Sequence, residues 1–324
     1  MKTIAFFNNK GGVGKTTLVY HLAWMFNEMG VDVVAIDLDP QANLTSAFFD
    51  ESRQLDLWWP ADNRSDSIFQ AVEPLLEHLG DIQPAKLAWI SNHLHLLPGD
   101  LALSRFEDRL AEAWPKCLSN DADGFRVTTA FYRLAAQAAE ERRASVVLFD
   151  VGPSLGALTR AALVASDFVV VPLGADLFSL QGLMNLGPTL RKWRRDWQKR
   201  ATEAPASVFP LPTGAMRPVG YVVLQHAVRA DRPVFAYQRW DEQIPRTYAQ
   251  ELVDEPDDAA NHCLARIKHY RSLMPLAQEA RKPMFLLKPA DGAIGGHSQA
   301  VEQCYLDFKA LAERLISVCG LAAP

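Results

Sequence analysis

The sequence predicts an α/β fold, with a mostly parallel, twisted β-sheet and helices on both faces, in a single domain. Residues 2–36 run in the order strand, glycine-rich turn, helix and strand, which is the order of a βαβ unit with parallel strands. The same alternation recurs between residues 145 and 224. A length of 324 residues is sufficient for one large domain with a buried core.

The first unit is defined by its apolar residues. Lys2–Phe7 is a compact apolar run that predicts a buried strand, and Thr16–Met29 carries apolar residues at helical spacing up to Gly30. Val31–Ile36 is a second apolar, β-branched run, and it ends at Asp37. We therefore expect a glycine-rich turn between a strand and a helix, close to the end of a neighbouring strand.

The later part of the chain repeats this pattern. The predicted strands are Ser145–Phe149, Phe168–Val171 (closed by Pro172) and Val219–Leu224, and the predicted helices are Gly156–Ala165, Leu180–Lys199 and Gln299–Val318. Proline-rich or acidic stretches interrupt the remainder and predict loops. We expect one domain over residues 1–324, with loop elaborations near 51–124, 201–217 and 240–268.

The composition excludes several classes of protein. Hydrophobic residues make up 49% of the chain and charged residues 22%, as is usual for a soluble globular protein. No apolar run approaches the roughly 20 residues of a membrane-spanning helix, and the first residues lack the features of a signal peptide. The four cysteines are scattered without a CxxC pair, which argues against a zinc site or a redox dithiol. We therefore expect a cytoplasmic protein.

A phosphate-binding motif lies between the first strand and the first helix. Residues 10–17 are Lys-Gly-Gly-Val-Gly-Lys-Thr-Thr, and glycines there allow backbone N–H groups to approach phosphate oxygens at a helix N-terminus. Lys15 can reach the β- and γ-phosphates of ATP, and the Thr16 hydroxyl can bind Mg²⁺. The predicted nucleotide-binding residues are Gly11, Gly12, Val13, Gly14, Lys15, Thr16 and Thr17.

The motif departs from the general P-loop pattern in one respect. Asn9 occupies the position of the first glycine, and a second lysine, Lys10, precedes the glycines. This deviant Walker A form, KGGxGK[ST], resembles that of the ParA/MinD group of ATPases. In that group the extra lysine crosses a dimer interface to the ATP of the partner. The resemblance implies an ATP-dependent homodimer in which Lys10 acts in trans.

Two carboxylates follow the second predicted strand, in the segment Asp-Leu-Asp-Pro-Gln-Ala-Asn at 37–43. Carboxylates at the end of a strand beside a P-loop suit the positioning of Mg²⁺ and water, although alone they are equally typical of a turn and cap. The segment is similar to the ParA sequence DxDPQxN. That resemblance implies that Asp39 orients the attacking water and that Asp37 supports the metal shell.

Asp150 ends the buried strand at 145–149 and begins Asp-Val-Gly-Pro-Ser-Leu-Gly. This position suits a Walker B carboxylate that holds Mg²⁺ through water. The loop resembles the switch II of the family, Asp-x-Pro-Pro-Ser-Leu-Gly, with Gly152 in place of the first proline. We therefore expect a more mobile loop, and hydrolysis that is slower or more dependent on a partner.

DNA binding is predicted from two groups of arginines. Residues 191–200 contain six cations and one acid, a pattern that is as typical of a solvated helix face as of a phosphate-binding one. Arg229 follows a predicted strand by five residues, where ParA-like proteins place a DNA-contacting arginine. Because the net charge is −5, any DNA contact requires a local basic patch. The predicted DNA-binding residues are Arg229, Arg191, Arg194 and Arg195.

The resemblance implies an ATP hydrolase that binds double-stranded DNA non-specifically and positions a cargo such as a plasmid, chromosome or protein complex. A ParB-like or other adaptor protein would stimulate hydrolysis, and the protein would associate with the nucleoid. The main alternative is a nucleotide-gated switch or scaffold for a protein or membrane cargo, as in MinD. Val301–Val318 contains three acids, which argues against a membrane-binding helix and for no stable membrane insertion.

Two other classes share this motif. An iron–sulfur reductase needs cysteines after the switch regions, and none lies between Cys117 and Cys263. A tyrosine kinase of the superfamily needs a tyrosine-rich tail, and the C-terminal helix predicted here contains only Tyr305. Both classes are disfavoured.

Overall fold

The structure, a computed structural model, describes residues 1–59, 66–84, 86–205, 209–224, 242–253, 262–270 and 272–322. The described residues form eight strands in one sheet. These are β1 (Lys2–Phe6), β2 (Val33–Asp37), β3 (Ala88–Ser91), β4 (Leu94–Leu97), β5 (Val146–Asp150), β6 (Phe168–Leu173), β7 (Arg217–Leu224) and β8 (Cys263–Ile267). Their order is β3-β4-β2-β5-β1-β6-β7-β8, and every neighbouring pair is parallel except β3 with β4.

Helices fill most of the connections between strands. They are α1 (Lys15–Glu28), α2 (Asn43–Phe48), α3 (Glu51–Trp58), α4 (Ile68–Leu76), α5 (Phe106–Lys116), α6 (Ala122–Thr128), α7 (Ala130–Arg142), α8 (Ala157–Val164), α9 (Leu177–Thr202), α10 (242–248), α11 (Leu273–Ala280) and α12 (Gly296–Cys319). A π-helical turn, Ala249–Val253, follows α10. Among the described residues, no helix has the length and apolarity needed to cross a bilayer.

The helices cover both faces of the sheet, so two hydrophobic cores form. Because successive side chains of a strand point to opposite faces, Ala5 and Phe7 enter one core and Ile4 and Phe6 the other. The first core is completed by α4 to α9, and the second by α1, α11 and α12. Burial on both faces explains why the central strands are continuous apolar runs. The predicted α/β fold is confirmed.

Some predicted boundaries were wrong for identifiable reasons. The second strand begins at Val33, because the Val31 N–H donates to the Phe26 carbonyl (2.9 Å) and belongs to the turn that ends α1. Strand β6 continues through Pro172 to Leu173 in parallel pairing with β7. The regions expected to be loop elaborations also contain regular structure, namely α3 to α6, the β3–β4 hairpin and β8.

The order of the strands determines where polar side chains meet. β2, β5 and β1 are neighbours in the sheet, and their carboxyl ends lie at the same edge. The glycine-rich loop follows β1, Asp37 ends β2, and Asp150 ends β5, where it is directly paired with Asp37. In open parallel sheets this edge is where ligands bind.

Candidate nucleotide-binding site

The loop after β1 is shaped by its glycines and by one asparagine. Gly12 (φ 72°) and Gly14 (φ 90°) have left-handed backbone conformations, which residues with a Cβ adopt only at a cost. A Cβ at Gly14 would also lie 2.8 Å from the Leu224 side chain. The Asn8 amide donates to the Pro172 carbonyl (2.6 Å), which ties the loop to β6. The loop is therefore held in a curved form with its backbone exposed to the cavity.

Helix α1 begins without a local partner for its first N–H groups. Gly14 occupies the N-cap position and supplies no side-chain hydrogen bond, and the first turn contains no acidic residue. The free N–H groups and the helix dipole together favour an anion at this point. The start of α1 is thus suited to a phosphate group.

A cavity of about 700 Å³ opens over this helix terminus. Such a volume is appropriate for a nucleotide-sized ligand. The lining residues of the predicted motif are Gly11, Gly12, Gly14, Lys15, Thr16 and Thr17. Val13, by contrast, is buried beneath the loop and borders a smaller neighbouring cavity with Leu224.

Asp150 lies fully buried at the end of β5 beside the first residues of α1. Neither of its oxygens has a hydrogen-bond partner of good geometry among the described residues, although the Thr16 hydroxyl is near enough to lower its pKa. Burial, and then the charge of Asp37, raise the pKa of Asp150 well above its usual value. An unsatisfied buried carboxylate next to a hydroxyl is suited to a bound cation.

Lys15 is the cation that the protein itself places here. Burial lowers the pKa of Lys15, while the charges of Asp150 and Asp39 oppose that shift. The lysine therefore lies between carboxylates and a cavity that can accept an anion, so a polyphosphate would complete the balance of charges.

Asp37 occupies a different environment from Asp150. Its Oδ2 accepts hydrogen bonds from the backbone N–H and the hydroxyl of Thr45 (2.8 Å each), and its Oδ1 accepts from the Asp39 N–H (3.2 Å). Burial, opposed in part by these bonds, raises the pKa of Asp37 to about 7. A Cβ at Gly99 would lie 2.7 Å from the Asp37 carboxyl carbon. Asp37 thus holds the following loop in position through its own oxygens.

Asp39, to which the sequence resemblance assigns the attacking water, lines the cavity and faces the loop after Asp150. Its Oδ1 accepts from the Gln41 N–H (3.0 Å), which orients the carboxylate. A Cβ at Gly152 would lie 3.2 Å from the same oxygen, so the glycine permits a close approach of the two segments. Asp39 is available to a water molecule beside the phosphate end of the cavity.

Lys10 points away from the cavity of its own chain. Its ammonium group forms an ion pair with Asp176 (2.5 Å), the residue that caps α9, and lies 5.7 Å from the centre of the Phe178 ring. Lys10 is absent from the residues that line the cavity, whereas Lys15 is among them. The two lysines of the motif therefore have different surroundings.

The predicted DNA-binding arginines are also separated by the structure. Arg191 donates to the Glu251 carbonyl (2.5 Å), and Arg194 donates to the carbonyls of Ala215 and Met216 (2.8 Å each). Arg195, on the next position of α9, is exposed. Arg229 lies outside the described residues. Only Arg195 of the three on α9 is thus presented as an exposed cation.

The far wall of the cavity was not predicted from the sequence. It is formed by α11 and the residues after it, including Met274, Gln278 and Arg281. The Arg281 guanidinium donates to the Phe49 carbonyl and so connects this wall to the end of α2. No local motif distinguishes these residues, because their role depends on how α11 packs against α12 and so lies across the cavity from α1.

Comparison with known families gives the site its context. The family model AAA_31, described as an AAA domain, matches residues 1–202, which include the glycine-rich loop and both candidate catalytic loops. The chain belongs to this family. Together with its relatives, the match confirms the expected membership of the ParA/MinD superfamily of P-loop ATPases.

Three relatives illustrate the similarity. Protein IncC of Escherichia coli is 31% identical over 67% of this chain, the sporulation initiation inhibitor protein Soj of Bacillus subtilis 30% over 59%, and the chromosome partitioning protein ParA of Myxococcus xanthus 31% over 58%. The chain covers 52%, 65% and 58% of their respective lengths, which is less than two thirds in each case.

Solved structures share the fold along nearly the whole chain. A protein from Corynebacterium diphtheriae has a TM-score of 0.75 at 24% identity, with 98% of each chain covered. A putative plasmid partition protein of Borrelia burgdorferi bound to AMPPNP has a TM-score of 0.62 at 18% identity, again with 98% of each chain covered. A variant of Cyanothece McdA in complex with ATP has a TM-score of 0.64 at 14% identity, with 99% of this chain and 97% of that chain covered.

Proposed function

We propose that this superfamily member binds and hydrolyses ATP–Mg²⁺, forms an ATP-dependent homodimer, binds double-stranded DNA non-specifically and positions a cargo. A ParB-like or other adaptor protein would stimulate hydrolysis. The observation that carries the proposal is that an uncapped helix terminus and Lys15 lie beside Asp150, a buried carboxylate with no hydrogen bond of good geometry among the described residues. Such a protein would act in the cytoplasm and, through DNA, on the nucleoid.

In this proposal the phosphates lie against the N–H groups of Gly11 to Gly14 and the Lys15 ammonium. Thr16 and Asp150 would hold Mg²⁺, which neutralises charge that develops on the phosphate oxygens. Asp37 would support these ligands indirectly, because its oxygens already accept hydrogen bonds from Thr45 and Asp39.

Asp39 is the residue that we assign to the attacking water. Its carboxylate lines the cavity, is oriented by the Gln41 N–H, and lies beside the loop that follows Asp150. A carboxylate at this place can accept a hydrogen bond from water and align it with the terminal phosphate. Removal of Asp39 should therefore slow hydrolysis while ATP still binds.

The surroundings of Lys10 support the proposed dimer. Phe178, which is 70% exposed, neighbours Lys10, and Leu177 and Leu155 are further exposed apolar side chains on α9 and on the loop before α8. An exposed aromatic ring beside a cation, with further exposed apolar side chains on the same elements, is suited to a protein interface. On dimerisation, Lys10 would exchange Asp176 for the phosphates of the partner's ATP.

DNA binding is proposed for the exposed face of α9. Lys192, Arg195 and Lys199 are all exposed, and their spacing of three and four residues places them on one side of the helix. A dimer presents two such faces, so ATP would raise DNA affinity through avidity. Cargo positioning is suggested by the relatives, whose names include chromosome partitioning and plasmid partition proteins.

The test is binding of a random-sequence duplex to the Asp39→Ala protein with ATP, with ADP and without nucleotide, across a series of salt concentrations. We expect binding that requires ATP, falls steeply with salt and is lost in the Lys15→Ala variant. Arg229→Ala and Arg195→Ala should each weaken it. Normal ATP affinity in Lys15→Ala would overturn the nucleotide site.

The same experiment separates the alternative function. Failure to bind DNA with any nucleotide, together with ATP-dependent dimerisation, would indicate a nucleotide-gated switch for a protein or membrane cargo. The commitment of Arg191 and Arg194 to backbone carbonyls is the observation that favours this alternative. A protein that stays monomeric in the presence of ATP would overturn both the proposed function and this alternative.

A further inference from the structure

Helix α8 follows the loop 151–156 and begins without a cap of its own. Gly156 is its N-cap residue and has no side chain to accept hydrogen bonds from the first turn. The acceptor comes instead from Glu107 on α5. The Ala157 N–H donates to Glu107 Oε1 (2.5 Å), and the Leu158 N–H donates to Oε2 (2.8 Å). A carboxylate from 50 residues earlier thus caps the helix with both oxygens.

Gly156 and Glu107 fit each other closely. A Cβ at position 156 would overlap Glu107 Oε1, so any other residue there would displace the carboxylate from its present position. The negative charge also lies at the positive end of the helix dipole, where it is stabilising. The contact therefore depends on both residues and positions the start of α8 relative to α5.

The loop between these contacts carries residues of the proposed reaction. At one end, Asp150 faces Thr16 and Lys15, and Gly152 adjoins the Asp39 carboxylate. At the other end, the Glu107 cap holds Ala157. The residues between, including Ser154 and Leu155, are exposed. Gly152 restricts the backbone little, so the cap at the far end restrains a segment that has few local restraints at its start.

The C-terminal end of α5, opposite to Glu107, contacts α8 and α9. The Arg160 guanidinium of α8 lies 4.5 Å from the Trp114 ring, and Arg200 of α9 lies 4.2 Å from it. Arg200 also donates to the Trp114 carbonyl (2.9 Å). One helix thus contacts both the start of α8, through Glu107, and the C-terminal part of α9, whose outer face is the proposed DNA-binding surface.

We propose that Glu107 is a positioning residue for ATP hydrolysis: by capping α8, it holds the loop 151–156 in the conformation that places Asp150 and Asp39 around the terminal phosphate. This inference rests on the proposed ATPase function. Glu107 does not touch the nucleotide cavity, so its removal affects the rate of hydrolysis and leaves ATP affinity unchanged.

The experiment compares Glu107→Ala, Glu107→Gln and wild type, with Asp121→Ala as a matched control. Asp121 also caps a helix with a carboxylate: its Oδ1 accepts from the N–H groups of Asp123 (2.8 Å) and Gly124 (3.1 Å) at the start of α6, so its removal costs a cap that does not bind α8. Three quantities are measured: kcat for ATP, the dissociation constant for ATP, and hydrogen exchange of the amides of residues 151–160.

For Glu107→Ala we expect kcat to fall by about ten- to a hundredfold, as for a misplaced catalytic group, with the dissociation constant for ATP unchanged. Exchange at Ala157 and Leu158 should accelerate. Glu107→Gln keeps one acceptor oxygen and should show an intermediate kcat. This variant tests the proposal if the alanine variant does not fold. Asp121→Ala should lose stability to a similar degree while kcat is retained.

A kcat for Glu107→Ala equal to that of Asp121→Ala would overturn the proposed role, as would unchanged amide exchange at Ala157 and Leu158. Absence of hydrolysis in the wild-type protein is a different result, because it would overturn the proposed ATPase function on which this role depends.

Discussion

At the scale of single residues, the site contains three carboxylates with different surroundings. Asp37 has its oxygens occupied by hydrogen bonds, Asp39 lines the cavity, and Asp150 is buried without a partner of good geometry among the described residues. A buried ionisable group without a partner is costly and commonly marks a functional site. Asp150 is the residue whose environment a bound Mg²⁺ would change most.

The dependence of stability on Mg²⁺ should therefore be lost in Asp150→Asn. In the wild-type protein, ATP with Mg²⁺ should raise the melting temperature more than ATP with a chelator, because a ligand of the native state stabilises it. The variant should bind ATP and show the same melting temperature with and without the metal, and its hydrolysis should fall by about a hundredfold or more. Thermal unfolding and phosphate release measure this. A full Mg²⁺ response in the variant would contradict the assignment.

His21 provides a pH-dependent prediction. It is fully buried, its Nδ1 lies 2.7 Å from the Thr17 carbonyl, and its Nε2 accepts from the Met284 N–H (3.1 Å), so the ring is neutral with the proton on Nδ1. Burial, opposed by the Thr17 carbonyl, lowers the pKa of His21 to about 4. The unfolded chain therefore binds the proton first as the pH falls below about 6.5.

Stability contributed by neutral His21 should be present above pH 6.5 and decline down to about pH 4, by about 3 kcal/mol in total. Asp37, whose pKa is raised to about 7, changes the free energy of unfolding in the opposite direction over this whole range. The measurement is thus the difference between wild type and His21→Gln in urea unfolding at several pH values. The difference in the free energy of unfolding between the two proteins should become smaller as the pH falls. A difference that does not change with pH would contradict the prediction.

At the scale of elements, α9 illustrates how one helix separates similar side chains by their position on its surface. Arg191 and Arg194 point towards the fold and bind backbone carbonyls, whereas Lys192, Arg195 and Lys199 face solvent. The helical period of about 3.6 residues accounts for this division. The inward arginines contribute to stability, and the outward cations are available to phosphates.

The two sets should respond differently to substitution. Arg195→Ala should weaken ATP-dependent duplex binding and reduce its salt dependence by about one phosphate contact, with little change in unfolding. Arg194→Ala should lower the free energy of unfolding by roughly 1–3 kcal/mol, because two partly buried carbonyls lose a charged donor, with the salt dependence of binding unchanged. Equal salt dependence of duplex binding in wild type and Arg195→Ala would exclude this face of α9 as the DNA-binding surface.

At the scale of the whole molecule, the two lysines of the motif serve two different chains in our proposal. Lys15 faces the cavity of its own protomer, and Lys10 is paired with Asp176 outside it. Binding of Lys10 to a partner's nucleotide would link the ion pair at α9 to the assembly of the dimer.

Lys10→Ala should accordingly bind ATP with normal affinity yet remain monomeric and hydrolyse ATP at least about tenfold more slowly. Light scattering with ATP and a turnover assay measure these effects. Lys86→Ala is the matched control. Lys86 forms a similarly short ion pair with Asp66 (2.5 Å), and this pair is exposed and lies just before β3, the outermost strand of the sheet. Dimerisation of Lys10→Ala in ATP would contradict the action in trans.

The fold was predictable where the pattern of apolar residues was local and strong. The unit from β1 to β2 and the helix α12 followed from apolar runs and helical spacing. A strand around His93 and His95 was expected and corresponds to β4, whereas its partner β3 and strand β8 were missed because their residues become strands only through pairing. Ala88–Ser91 is an edge strand with an exposed Trp89, and Cys263–Ile267 is a short strand with only Leu264 and Ile267 buried, paired with the end of β7.

The loop proposed to bind phosphate could be located from the sequence, since its glycines, lysine and threonine are adjacent in the chain and lie between a strand and a helix. Three features required the folded structure: the absence of a well-formed hydrogen bond to Asp150 among the described residues, the pairing of Lys10 with Asp176, and the capping of α8 by Glu107. The last two relations join residues that are 166 and 50 positions apart in the chain. They arise from strand order and helix packing, which no local pattern of residues specifies.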